Sequence, residues 1–327
     1  MKKIILLLVI SSLVFSCKTK KDDSSKNAEK EGITITTEEV KEIVTYLASD
    51  ELNGRNTGTE GIDKAASYIE KQLKSYGVKP YFDGFLDEFK FKGRAEDSIT
   101  GYNVVGYLEG TDDKLKNEFI VIGAHYDHIG FGKKVENDSI ANGANDNATG
   151  TATVMSIAKY FADKGNNKRS VIFALFSAEE MGLRGSKALA ERLKFQDIDL
   201  YTMINFEMLG VPFKDRDYEV FLTGFDKSNF AEKFNAYQGS NLIGFSEVSK
   251  KYSLYQRSDN YAFVQEFNVP SHTISSCDLT NFDQYHKVGD EANIMDYTFM
   301  SNFINKAIPG LEKLINAPAK EIVLTNE

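Results

Sequence analysis

The chain has 327 residues but no tryptophan, only two cysteines and only four histidines. Two thiols, Cys17 and Cys277, cannot make a disulfide framework, and Cys277 reads as a small buried residue rather than a nucleophile. Cations are the minority charge: 39 Lys and Arg stand against 48 Asp and Glu, for a net charge of -9. That balance argues against a basic groove, and no nucleic-acid partner is expected. The apolar run at the start, Ile4 to Val14, falls short of the roughly 20 residues a membrane-spanning helix needs. No internal repeat is visible, and the length suits one large catalytic domain.

With histidine so scarce, its neighbours carry weight. Phe119-Ile120-Val121-Ile122 is short, continuous and β-branched, the pattern of a strand buried on both faces, and it leads into Gly123-Ala124-His125-Tyr126-Asp127-His128. Val171 to Phe176 repeats the pattern and leads to Glu179-Glu180, and Tyr201 to Asn205 leads to Glu207. Between them Asp146 sits in the turn-forming cluster Ala144-Asn145-Asp146-Asn147-Ala148-Thr149-Gly150, and further on comes Tyr285-His286. Ligands of an open α/β sheet bind outside the carboxyl ends of its strands, so three parallel-type strands would send acids and imidazole to one edge. Carboxylates with imidazole suit divalent zinc, and the pair Glu179-Glu180 offers one carboxylate to metal and one to proton transfer. Strand alternation puts Asp127 on the side of His125, where it can accept an imidazole N–H and fix the tautomer. His128 and His272 read as structural, the first entering a Gly-rich loop and the second inside the strand-like Val269 to Ile274.

These segments resemble, in order over about residues 45 to 290, the co-catalytic di-zinc aminopeptidase family, whose relatives include glutamate carboxypeptidase and the single-zinc glutaminyl cyclases. Ala48-Ser49-Asp50-Glu51-Leu52-Asn53-Gly54-Arg55 and Gly58-Thr59-Glu60-Gly61 belong to the match. The resemblance implies an α/β fold with a mixed, mainly parallel central sheet flanked by helices, of the phosphorylase/hydrolase-like zinc exopeptidase type, and two zinc ions. It implies that Asp146 bridges the ions, that His125 and Glu207 complete one site, and that Glu180 and His286 complete the other. Glu179 becomes the general base and Tyr285 the hydroxyl on the oxyanion, and a cis peptide is implied between Asp146 and Asn147. Glu207 stands where most members have Asp, and Asn260 replaces a histidine in Arg257-Ser258-Asp259-Asn260. Asp259 reads either as a turn or helix cap or as a carboxylate behind the ligands.

The expected substrates are peptides with a free N-terminus. A glutaminyl cyclase is the alternative enzyme, although this chain lacks the tryptophans those enzymes share around the substrate. A peptide-binding lipoprotein without catalysis is the alternative outside enzymology, and the complete set of five ligands plus Glu179 speaks against it. At the N-terminus, Lys2-Lys3 and the apolar run read as a secretory leader over residues 1–16. Val14-Phe15-Ser16-Cys17 resembles the bacterial lipoprotein processing box, which implies lipidation of Cys17 and a membrane anchor. Residues 17–32 then form a polar tether, residues 33–327 a single peptidase domain, and the outer membrane, facing periplasm or exterior, is the expected location.

Helical stripes account for the rest of the chain. Ile62, Ala65, Ala66, Ile69, Leu73 and Tyr76 stop at Gly77, Val154, Ile157, Ala158 and Phe161 mark a second helix, and Phe299 to Leu314 suggests a closing helix interrupted near Pro309.

Overall fold

A computed structural model describes residues 32–93 and 95–325. The leader, Cys17 and the tether up to residue 31 lie outside the described residues. Ile33–Glu327 forms one compact unit. Its strands are β1 Lys79–Pro80, β2 Leu86–Lys92, β3 Ser98–Leu108, β4 Glu118–His125, β5 Gly130–Val135, β6 Asp138–Ala141, β7 Ser170–Phe176, β8 Asp199–Glu207, β9 Val220–Leu222, β10 Ile243–Gly244 and β11 Ser271–Ser275. Its helices are α1 Thr37–Leu47, α2 Glu60–Ser75, α3 Thr149–Lys164, α4 Arg184–Phe195, α5 Phe230–Gln238, α6 Glu247–Lys251, α7 Asn260–Phe267 and α8 Tyr297–Asn316.

Nine strands form one mixed sheet in the order β1-β3-β7-β4-β8-β11-β9-β10, with β2 on β3, while β5 and β6 make a separate hairpin. The centre is parallel: β7, β4, β8 and β11 run the same way. Antiparallel pairing begins only outside them, at β3 and β9. The continuous apolar runs have the cause their pattern suggests. On β4, Ile120, Ile122 and Ala124 join the core layer that contains Val154 of α3 and Leu311 of α8, while Val121 joins the opposite layer with Leu189 of α4 and Phe263 of α7. On β7, Val171, Phe173 and Leu175 alternate in the same way with Ile172, Ala174 and Phe176. A strand covered on both faces needs apolar residues at every position.

The helices obey their stripes with one correction. α2 ends just before Gly77, which takes φ +84°, and α3 ends at Gly165 with φ +64°. α8, however, is not interrupted: it runs from Tyr297 to Asn316 straight through Pro309. Proline removes one N–H from the helix ladder, but Phe303, Ile304, Ile308, Leu311 and Leu314 are all buried around it. Burial of that stripe, at about 1.5 to 3 kcal/mol per large apolar side chain, outweighs the lost bond.

Candidate metal centre

The four parallel strands end on one side of the sheet and deliver the chemistry there. β4 ends at His125, β8 ends at Glu207, and β7 is followed by Ser177-Ala178-Glu179-Glu180. The chain turns sharply just past β7 and β8, where Ala178 and Met208 take left-handed backbone at φ +57° and +50°, and again at His286, in the loop between β11 and α8, at φ +57°. A non-glycine residue there costs about 1 to 2 kcal/mol, and the turns set the direction of Glu179, Glu207 and the His286 ring. Asp146 comes from the turn before α3, and the Asp146–Asn147 peptide is cis.

The five residues expected as ligands converge on Asp146. Its Oδ1 lies 3.3 Å from His125 Nε2, which is 3.5 Å from Glu207 Oε1. Its Oδ2 lies 3.2 Å from His286 Nε2, which is 3.1 Å from Glu180 Oε2. Zinc–ligand distances of about 2.0 to 2.1 Å give a tetrahedron with edges of roughly 3.3 Å, so each oxygen of Asp146 belongs to a group with the right spacing for one ion. His286 Nε2 supplies an independent check: it is buried and close to two carboxylates, yet it makes no aligned hydrogen bond. An imidazole nitrogen left unpaired beside two carboxylates is what a shared cation would explain. The donor set therefore fits zinc.

The charge pattern agrees. Burial raises the Asp146 carboxyl, but contacts with His125 and His286 outweigh it and hold the group well below its usual range. Burial lowers His125, and the field of Glu179 with contacts to Asp146 and Glu207 more than reverses this, so its pKa stands well above normal. His286, against burial, is pushed up to about 10 by Asp146 and Glu180. Glu179 is raised well above the usual range, first by burial and then by Asp259, Glu207 and Glu180, with His125 opposing. Carboxylates so crowded need cations, and a metal meets that need more fully than protons on imidazole.

The paired glutamates face different ways. Glu179 lines an open cleft together with His125, Asp146, Glu207 and Tyr285, and the cleft continues along Phe221, Leu254, Arg257, Cys277 and Leu279. Glu180 faces Asp146 and His286 instead. Tyr285 stacks on the His286 ring with centroids 3.9 Å apart. Cys277 is 2% exposed, and burial pushes its thiol up to about 12.

Asp127 does a different job from the one expected. His125 Nδ1 is 3.2 Å from the main-chain carbonyl of Asp127, and the Asp127 carboxylate is farther, at 3.7 Å. Its two oxygens accept the backbone N–H groups of Glu179 and Glu180, at 3.1 and 3.3 Å. Strand alternation does bring Asp127 beside His125, but the loop after β4 then turns its carboxylate toward β7. Asp259 occupies the N-cap position of α7 without bonding any helix amide. It is fully buried near His125, Glu207 and Asp127, and burial raises its pKa to about 7. The cap alternative is thus not realised, and the carboxylate lies buried beside His125 and Glu207. Asn260 accepts the Thr273 hydroxyl, Thr273 and Ser258 share the amide of Asn205, and the Ser258 hydroxyl donates to Glu207 Oε1 at 2.8 Å. This chain of bonds anchors the longer arm of Glu207.

Several residues escaped the sequence reading. Arg55 is completely buried and gives its guanidinium to four carbonyls: Tyr126 at 2.8 Å, Asn142 at 2.6 Å, Gly143 at 2.9 Å, and Leu47. It ties the loop after β4 to the turn before Asp146, and although burial lowers it to about 10, Asp290, Asp127, Asp146 and Glu180 keep it a cation. Asp290 accepts the amides of Asn145 at 2.7 Å and Asp146 at 3.0 Å, cradling the same turn. His128, read as structural, lies within the cluster, with Nδ1 3.0 Å from Glu180 Oε1. Arg55 closes the segment Ala48 to Arg55, whereas Asp290 carries no local signal beyond its nearness to His286.

Comparison with known proteins agrees with this geometry. The description "Peptidase family M28" matches residues 103–308. A probable zinc metalloprotease of Pyrenophora tritici-repentis is 29% identical over 187 residues, which are 54% of this chain and 37% of that protein. The chain thus spans well under half of the curated relatives it matches first. Among solved structures, the zinc aminopeptidase BSAP of Bacillus subtilis superposes with a TM-score of 0.68 at 13% identity, covering 88% of this chain and 97% of its own. The glutaminyl cyclase of Porphyromonas gingivalis gives 0.65 at 15% identity, covering 86% and 99%. Likeness at such identities establishes the fold, with its mixed sheet between helices. The family match runs from β3 into α8 and includes every residue of the Asp146 cluster, and on that ground the chain belongs to peptidase family M28.

Proposed function

We propose that this protein is an aminopeptidase that hydrolyses the first peptide bond of substrates with a free N-terminus, using two zinc ions bridged by Asp146. The observation that carries this reading is the division of the acidic pair: Glu179 faces the open cleft while Glu180 turns to Asp146 and His286. Two ions bound by His125, Glu207, Glu180, His286 and the shared Asp146 would supply Lewis-acid polarisation of the scissile carbonyl and water of lowered pKa.

The remaining chemistry belongs to the side chains. Glu179 takes a proton from the attacking water and returns it to the leaving amine, a role suited to a carboxyl whose pKa is raised by burial among other acids. Asp127 fixes the backbone of Glu179 through its amide, so the base is held on a rigid support. The Tyr285 hydroxyl, on the cleft wall, donates to the developing oxyanion. The negative field of the cleft carboxylates, Glu179 and Glu207 among them, favours a free N-terminal ammonium over a blocked one, which favours cleavage after one residue.

The test is zinc analysis of the purified chain combined with a panel of aminoacyl amides, their N-acetylated forms and an N-terminal Gln peptide. Two zincs and hydrolysis only of free amines support the aminopeptidase. One zinc with ring closure of the Gln peptide would instead favour the cyclase, whose solved relative shares the fold. Neither activity would leave a peptide-binding protein. We further propose a lipid-anchored form on the outer membrane, supported by Val14-Phe15-Ser16-Cys17. Mass spectrometry of membrane-extracted protein should find diacylglycerol on Cys17.

A further inference from the structure

His128 is fully buried, and neither of its ring nitrogens makes a hydrogen bond among the described residues. A buried imidazole in that state is costly, because each nitrogen has given up its hydration without gaining a partner. Yet its Nδ1 is 3.0 Å from Glu180 Oε1 and 3.8 Å from Asp146 Oδ2. Those contacts parallel the ones His286 Nε2 makes, at 3.1 Å to Glu180 and 3.2 Å to the same Asp146 oxygen. Both nitrogens approach carboxylates closely while their axes miss the oxygens, as nitrogens do when they share a target with those oxygens. One ligand atom each from His128, Asp146 and Glu180 lies within 4.8 Å of the others.

The position is built for this. Gly143, at φ +58°, lets the turn before Asp146 pass against the ring, and a Cβ there would come within 2.5 Å of His128 Cγ. The backbone N–H of His128 is held by the carbonyl of Arg55, whose guanidinium grips Gly143 from the other side.

We propose that His128 Nδ1 is a protein ligand of the zinc on the Glu180 side, an inference that rests on the two-zinc reading. That ion then has four protein donors, from Asp146, Glu180, His286 and His128, whereas the ion on the cleft side has three, from His125, Asp146 and Glu207. Four protein ligands close a zinc site and three leave a position for water or substrate. The pair is therefore asymmetric: the buried ion holds the cluster together, and the cleft-side ion has room for the carbonyl.

The test is a crystal structure of the zinc-loaded full chain with anomalous data at the zinc edge, together with zinc titration of metal-free wild type and His128→Gln. The proposal expects Nδ1 at about 2.0 to 2.1 Å from one ion. It also expects His128→Gln to weaken one zinc-binding step by more than about 100-fold, beyond the 10 to 100-fold typical of a residue behind the ligands, with the other step unchanged. Two ions present with Nδ1 beyond about 3 Å from both, hydrogen-bonded to Glu180, would overturn the inference and leave the two-zinc reading intact. A wild-type chain that takes up no zinc at the cluster would overturn both.

Discussion

Two histidines of this protein, His286 and His272, lie in polar surroundings and come to opposite states. His286 stands between Asp146 and Glu180, which raise its pKa to about 10 against the effect of burial. His272, on β11, is fully buried with no carboxylate beside it among the described residues, and burial lowers it to about 4. Its Nδ1 is 2.8 Å from the carbonyl of Thr223 and its Nε2 2.7 Å from the Ser228 hydroxyl, so the ring is neutral, with Nδ1–H donating and Nε2 accepting. The Ser228 oxygen in turn accepts the N–H of Phe230 at the start of α5. Every polar atom of the His272 ring is satisfied, and in the Asp146 cluster several are not. A histidine with both nitrogens paired needs nothing further, and one left unpaired among acids is the candidate to hold an ion.

The largest expected effect is on the acidic side of this contrast. Glu179→Gln keeps size and hydrogen bonding but removes the proton acceptor, and turnover of an aminoacyl amide should fall roughly 10²- to 10⁴-fold. Zinc content should stay near two per chain. Glu180→Gln should lose zinc as well as turnover, and the reverse pattern would show that the two carboxylates have exchanged roles.

The next effect concerns pH. The folded pKa of His272 is depressed, so its contribution to stability is complete above about 6.5 and is lost as pH falls through about 4, a swing of about 3 kcal/mol for one group. Urea unfolding at pH 7 and pH 4 should show that swing in wild type, and His272→Gln should reduce it. An identical pH dependence in both proteins would mean that the ring is not held neutral. In metal-free protein His286 has the opposite sign: its pKa is raised, so its contribution is complete below about 6.5 and disappears as pH rises through about 10.

Zinc should separate the two sites by a third measure. At a free concentration about 100-fold above its Kd, zinc should stabilise the fold by ~2.7 kcal/mol for each ion bound, read as a rise in Tm over chelator-treated protein. His286→Ala should lose at least one ion's share of that rise and His272→Gln should retain all of it. Equal losses would erase the distinction drawn between the two histidines. The smallest effect is Ser228→Ala, which removes a donor to His272 and an acceptor for Phe230 and should cost about 1 to 2 kcal/mol in unfolding free energy, with zinc binding and turnover unchanged.

Local pattern was sufficient for much of the architecture. The runs Phe119 to Ile122, Val171 to Phe176 and Tyr201 to Asn205 are strands β4, β7 and β8, because a strand covered on both faces must be apolar throughout. The same runs located His125, Glu179, Glu180 and Glu207, since residues at or just past the end of a parallel strand lie at the carboxyl edge of the sheet. Asp146, Tyr285 and His286 were legible through motif resemblance, without a periodicity of their own.

The sequence by itself determined the parallel core, the helices whose stripes end at Gly77 and Gly165, and the kinds of ligand available. Only tertiary structure decided which groups meet. Spacing along the chain cannot say that Asp127 reaches the amides of Glu179 and Glu180 rather than the ring of His125, that Arg55 joins four carbonyls, or that Asp290 supports Asp146 from 144 residues away. Nor can it separate His128 from His272, since both are buried histidines next to apolar residues. Hydrogen bonds and charges act over a few ångströms of space without regard to sequence distance, and the apolar layers that close around Pro309 in α8 override a local rule in the same way. Periodicity records which face of an element is buried, whereas proton affinity and metal fit depend on what the folded chain brings against it.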